Sequence, residues 1–135
     1  MQAVPKEHVS EYGIIKPVLI RERLHEIKDM VEKPAMGNAP SDLAIIGRYV
    51  LPPEIFAILG DAQAGVGGEI QITDAIRRLL GGTRFLGLQY EGTRFDAGNK
   101  AGFLKANPYL GLRHPEVKEE LSALMRSLDL SKFMK

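Results

Sequence analysis

The chain contains no cysteine, so no disulfide framework, thiolate metal site or cysteine nucleophile can exist in it. No apolar run approaches the roughly 20 residues that span a bilayer. The opening stretch MQAVPKEHVSEYG lacks the charged-then-apolar order of a signal peptide. Nor does charge of one sign dominate: 18 Lys+Arg stand against 17 Asp+Glu, a formal charge of +1, and the basic residues are scattered along the chain. That removes the electrostatic footprint of a nucleic-acid binder. Internal repeats and low-complexity linkers are also missing. The expectation is a soluble, intracellular and cytoplasmic protein, with neither nucleic acid nor a membrane as partner. What is present is 44% hydrophobic residues in 135, enough for a single domain over 1–135 with its own core.

Hydrophobic spacing sketches the elements. EYGII and PVLI read as two short strands, or a strand and a turn, because Pro17 between them cannot donate a ladder hydrogen bond. LHEIKDMVEKP mixes helical and strand spacing, and Pro34 favours an extended ending. LAIIGRYVL is a continuous apolar run with β-branched members, as in a strand buried on both faces, and it is the best core strand in the chain. PPEIFAILG carries proline in its first turn, Glu54 near its start and Gly60 as a C-cap, so it predicts a short helix. ITDAIRRLLGG predicts another, capped by Thr73 or Asp74, with Ile76, Leu79 and Leu80 on one face. TRFLGLQY alternates like a strand. NKAGFLKANPYLGLRH reads as a helix kinked at Pro108, and Pro115 opens a last helix whose buried face is Val117, Leu121, Leu124, Met125 and Leu128. The sum is a mixed α/β domain.

Several segments could carry chemistry. GVGGEIQIT precedes a helix like a phosphate cradle, yet no strand feeds it directly and no lysine follows, so a flexible turn is the plainer reading. His8, His25 and His114 lack metal-ligand spacing and read as surface or hydrogen-bonded histidines. No serine sits in a strand-to-helix elbow. Asp96, in RFDAGNK, ends a predicted strand, where α/β sheets bind ligands. It is either a ligand for a hard cation such as Mg2+ or the centre of an Asx turn or helix cap. In VEKP, Glu32 and Lys33 on a strand would point to opposite faces. They are either solvated strand-end charges or two separate contacts, a carboxylate for sugar hydroxyls and an ammonium for phosphate.

Taken in order, VPKEHVSEYGII, VEKP, NAPSDLAIIGRYVLPPEIF, GVGGEIQITDAIRRLL, YEGTRFDAGNKAGFLKAN and GLRHPEV resemble the carboxyl-terminal half of the bacterial UTP–glucose-1-phosphate uridylyltransferases, members of the sugar-nucleotide pyrophosphorylases. KPVLIRERLHEIKDM matches in length better than in residues. The resemblance implies the carboxyl-terminal part of a Rossmann-like nucleotidyltransferase fold, a mixed sheet flanked by helices, that makes UDP-glucose and pyrophosphate from UTP and glucose 1-phosphate with Mg2+. It also assigns residues. Gly13 contacts the sugar through its backbone, Glu32 and Lys33 hold sugar hydroxyls and the sugar phosphate, and Gly47 lines the pocket. Asp96 holds the metal, and Lys33 and Asp96 form the catalytic pair, with GGEIQITDA bordering the site. No GxGTR loop of the nucleotide half appears in the sequence. The expectation is therefore a sugar-phosphate half that is inactive alone and self-associates. Its alternatives are a non-catalytic sugar-phosphate or protein-binding module, or a pyrophosphorylase for another nucleotide or sugar.

Overall fold

The structure, a computed structural model, describes residues 1–63 and 68–132. The chain divides into two compact units, Met1–Glu91 and Gly92–Lys135. In the first, β1 (Gln2–Ala3), β2 (Gly13–Arg21), β3 (Leu24–Glu32), β4 (Leu43–Ala44) and β5 (Phe85–Leu88) form one sheet in the order β1-β4-β2-β3-β5. All four pairings are antiparallel. The helices α1 (Ile55–Gly60) and α2 (Ile72–Leu79) accompany this sheet. The α/β class with flanking helices is as expected; the pairings differ from the expected mixed sheet because β2 and β3 turn directly into each other at Glu22–Arg23, which only antiparallel strands can do.

Pro17 does not split its segment. β2 runs through it, and the irregularity appears as a shift of register between Lys16 and Pro17, where Lys16 faces Asp29 but Pro17 faces Ile27. The ambiguous LHEIKDMVE is strand, decided by its pairing with both β2 and β5. LAIIGRYVL is the larger departure. Only Leu43 and Ala44 join the sheet, and Val50 is 99% exposed, so propensity for a strand is not realised where no neighbour continues the ladder.

Consecutive residues of a strand face opposite ways, and Ile14 and Ile15 are both fully buried. Ile15 joins Met30, Leu43, Ile55, Ile76 and Leu79 in the larger core cluster, on the helix side. Ile14 joins Val4, Val9 and Ala44 in the smaller one, over the 3-10 turn Lys6–Glu11. The sheet is thus covered on both faces at the end where β2 begins. Ser41 ties this end together, its hydroxyl donating to Ile15 O at 2.6 Å and accepting from Leu43 N at 3.0 Å.

The second unit holds α3 (Lys100–Gly111) and α4 (Lys118–Ser127). Asn99 caps α3, its side-chain oxygen accepting from Gly102 N at 2.7 Å. Pro108 lies inside α3. A Cβ on Gly111 would lie 2.5 Å from Leu121 Cδ2, so glycine permits the close approach of α3 and α4. The predicted last helix forms, starting three residues after Pro115. Its apolar stripe is not buried as expected: Val117, Leu124, Met125 and Leu128 are exposed. No helix among the described residues is long and apolar enough to cross a membrane.

Candidate functional site

Gly13 opens β2 and Glu32 closes β3, and the two stand directly opposite in the ladder. Opposed residues project to one face, so the Glu32 side chain lies over a residue that has none. A Cβ built on Gly13 would be 2.9 Å from Glu32 Oε2, 3.2 Å from Thr73 Oγ1 and 3.3 Å from Thr73 Cγ2. Glycine is needed here by packing: the carboxylate and the threonine occupy the space a side chain would take. The Gly13 carbonyl accepts from Ile45 N at 2.8 Å, which fixes the start of the segment leading to Gly47.

Lys33 departs from the strand geometry expected for it. β3 ends at Glu32, and Lys33 turns into the left-handed region at φ +44°. The alternation argument for VEKP therefore stops at Glu32. The Lys33 N–H donates to Tyr12 O at 3.0 Å, closing the sheet just ahead of Gly13, while the side chain is exposed and Pro34 behind it is buried. A non-glycine residue held at positive φ costs about 1–2 kcal/mol, and such residues cluster at ligand sites.

Gly47 sits at φ +70° with no atom within 4 Å of where a Cβ would be, so its backbone conformation favours glycine while the space beside it is open. Two residues on, the Tyr49 phenol is pushed above its ordinary value, first by partial burial and then by the Glu32 carboxylate, which places Tyr49 within electrostatic reach of Glu32.

Thr73 does not cap α2. Gln71 is the N-cap and makes no side-chain capping bond, while Thr73 lies in the first turn, 5% exposed. One turn further, Arg77 grips Asp29 of β3 with a fork, Nε to Oδ1 at 2.7 Å and Nη2 to Oδ2 at 3.0 Å. This fork holds α2 on the strand that ends in Glu32. Neither Thr73's contact nor the fork was read from the sequence; the i, i+4 spacing of Thr73 and Arg77 was the available signal.

The Arg77 hydrogen bond, with a smaller contribution from the Met30 N–H, holds the Asp29 carboxyl below its ordinary 3.8 against the opposing effect of burial. A depressed carboxyl contributes stability that is complete above pH about 3.8 and is lost as pH falls through the folded-state value. Both partners are more than a third exposed, so the contribution is at most about 1 kcal/mol. Arg77→Ala is expected to lower stability by that amount at pH 7 and to flatten the loss on acidification below the ordinary carboxyl value of 3.8 in urea titrations; an unchanged acid profile would contradict it.

Asp96 belongs to the second unit and is exposed. Its Oδ1 accepts from Gly98 N at 2.9 Å, an Asx turn leading to the cap at Asn99. Nearby, Tyr109 bonds Thr93 Oγ1 at 3.0 Å, stacks tilted against Phe95 with ring centroids 4.9 Å apart, and lies under the Arg113 guanidinium at 4.0 Å. Among the described residues, no group of three or more His, Asp or Glu could hold a metal. In Asp96, Oδ1 is engaged by the Asx turn, and a carboxylate is the kind of oxygen donor that Mg2+ takes.

Of the three histidines, His8 bonds Glu11 at 2.6 Å and His114 accepts from Glu116 N at 3.3 Å. His25 departs from the expected pattern: it is 9% exposed with neither ring nitrogen hydrogen-bonded. In the ladder it stands opposite Leu19 of β2 and Gly87 of β5. Of the glycine cluster, residues 64–67 lie outside the described residues, and Gly68 adopts φ +76°.

The family pattern of the nucleotidyl transferases matches residues 1–111. A UTP–glucose-1-phosphate uridylyltransferase of Staphylococcus epidermidis is 43% identical over 130 residues, covering 96% of this chain and 45% of that protein. The protein of that name from Bacillus subtilis is 44% identical over 128 residues, covering 95% and 44%. A crystal structure of UDP-glucose pyrophosphorylase complexed with UDP-glucose superposes with TM-score 0.79 at 43% identity, over 84% of this chain and 43% of the other. The UTP-bound enzyme of Acinetobacter baumannii gives TM-score 0.81 at 37% identity, over 95% and 44%. The chain spans about half the length of the curated relatives it matches. With the family pattern covering most of its length and the fold superposing on solved relatives, the chain belongs to the nucleotidyl transferase family.

Proposed function

We propose that the chain supplies the sugar-phosphate side of a nucleotidyltransferase that makes UDP-glucose and pyrophosphate from UTP and glucose 1-phosphate. The observation that carries this reading is the convergence of the Glu32 carboxylate on the bare α-carbon of Gly13, with Lys33 held out of the strand next to it. The names of its relatives supply the substrates. Glu32 accepts from sugar hydroxyls, the Gly13 backbone and Gly47 border the ring, and Lys33 meets the phosphate as a point charge.

In the reaction, a phosphate oxygen of glucose 1-phosphate forms a bond to the α-phosphorus of UTP, and the bond from that phosphorus to the β-phosphate bridge breaks, releasing pyrophosphate. Two anions must meet in line, so position and positive charge are the main needs. Lys33 offsets part of the repulsion. The attacking oxygen is already ionised at neutral pH, so no general base is required. Asp96 would hold Mg2+, which neutralises phosphate charge when bound.

The glycine-rich GxGTR loop that the resemblance places on the nucleotide side is not in the sequence. The chain alone is therefore expected to bind glucose 1-phosphate without turning it over. A turnover assay with UTP, glucose 1-phosphate and Mg2+ tests this. A rate in the ordinary enzymatic range of about 1–1000 per second would overturn the half-site reading, and calorimetry showing no glucose 1-phosphate binding would overturn the sugar-phosphate assignment. A cytoplasmic, self-associating protein completes the proposal. β4 pairs with β2 at Ile14 alone. Beyond it, Val18, Leu19 and Ile20 are 42–61% exposed along a strand edge, the kind of surface that pairs with another copy. A monomer in sedimentation at micromolar concentration contradicts that part.

A further inference from the structure

The segment that carries Asp96, residues 93–98, lies in neither helix nor strand, so its position depends on what it is fastened to. Both fastenings are on α3. Ahead of Asp96, the Tyr109 hydroxyl shares a hydrogen bond with Thr93 Oγ1 at 3.0 Å, and the Tyr109 ring stacks tilted on Phe95 with centroids 4.9 Å apart. The Arg113 guanidinium, just past the end of α3, covers the same ring at 4.0 Å. At Asp96 itself, the carbonyl oxygen rests over Gly102, where a Cβ would overlap it, and accepts from Asn99 N at 3.4 Å. Phe95 and Tyr109 are half-buried, while Asp96 is exposed. The chain is thus tied down on one side of a carboxylate that is left open to solvent.

We infer that Tyr109 is a positioning residue for Asp96, fixing the segment from which this carboxylate offers an oxygen to a divalent cation. The inference rests on the reading of Asp96 as the Mg2+ ligand given above. Tyr109 acts through Thr93 and Phe95 and does not ligate. A ligand on an irregular segment is effective only when the groups behind it hold its orientation, because otherwise the cation must order the backbone as it binds. An aromatic stack and a guanidinium over a ring suit this task, since both hold a surface segment in place without enclosing it. Packing of a small helical pair alone would explain Tyr109 against α4; its partners are instead the two residues that lead into Asp96.

The test titrates the 15N-labelled full chain with Mn2+, a paramagnetic ion that takes the same oxygen ligands as Mg2+, and reads the broadening of the Asp96, Ala97 and Gly98 amide signals. Tyr109→Leu, which removes ring and hydroxyl, is expected to weaken the affinity read at those signals about 10-fold. Tyr109→Phe keeps the ring for Phe95 and Arg113 and gives up only the bond to Thr93, so it should stay within about threefold of the parent. Unshifted α4 signals confirm folding of the unit. Broadening at Glu119 and Glu120, exposed on α4, should be the same in every variant, so that a loss confined to Asp96 separates positioning from general damage. If Tyr109→Leu does not fold, Phe95→Leu removes the same stack from the other side and carries the readout. Undiminished affinity at Asp96 in the leucine variant, or a loss shared equally with Glu119 and Glu120, overturns the inference and leaves the metal reading standing; a parent chain without broadening at Asp96 overturns both.

Discussion

Lys33→Gly is expected to weaken glucose 1-phosphate binding about 10- to 100-fold while raising the stability of the chain. The two effects have separate physical origins. A charge-assisted contact to phosphate contributes about 1.5–3 kcal/mol, and glycine cannot replace it. The backbone at position 33 sits at φ +44°, where glycine is at ease and lysine carries a cost of about 1–2 kcal/mol. The Lys33 N–H bond to Tyr12 O is kept, because glycine retains the donor. A residue retained for structure would show the opposite coupling. Urea unfolding and calorimetric titration of the same preparation check both halves; a destabilised variant with unaltered binding would contradict the account of Lys33.

Ile15→Ala is expected to cost about 2–5 kcal/mol, and Ile14→Ala a similar amount. Each removes a fully buried side chain from a different cluster, leaving a cavity that its neighbours fill only in part. Domains are stable by about 5–15 kcal/mol, so either change takes a large share. The paired result is informative because adjacent residues on a one-sided sheet would differ sharply, the outward one costing almost nothing. Urea unfolding of the two variants measures it. A loss below about 0.5 kcal/mol at Ile14 would contradict burial on both faces at this end of the sheet.

What could be read from the sequence follows from which interactions are local. The helices at 55–60, 72–79, 100–111 and 118–127 carry their helical spacing and stop or start residues within a few residues of themselves, and all four were legible, although only Asn99 makes a side-chain capping bond. The strand at 43–44 was overextended because LAIIGRYVL has the right residues but only Gln2, Ala3 and Ile14 to pair with. A polar residue ahead of an apolar run fits a cap, hence Thr73 or Asp74, yet both lie inside the first turn; the neighbour of Thr73, Gly13, is 60 residues away and invisible to local pattern. His25 shows the same limit, since its ladder partners, Leu19 and Gly87, sit on two other strands, one of them 62 residues away. At the site, Gly13 and Gly47 could be named only through resemblance, while VEKP offered Glu32 and Lys33 as one of two open readings. The geometry adds the packing reason for glycine at 13 and the left-handed turn at 33, which no spacing rule contains.

The central claim is that Gly13, Glu32 and Lys33 form a hexose-phosphate site at the start of β2. The most direct measurement is the amide spectrum of the 15N-labelled chain during titration with glucose 1-phosphate. The account predicts saturable shifts concentrated at Gly13, Glu32, Lys33, Gly47 and Thr73, strongly reduced in Lys33→Gly. Shifts scattered over the surface, or confined to residues distant from β2 and β3, would contradict it.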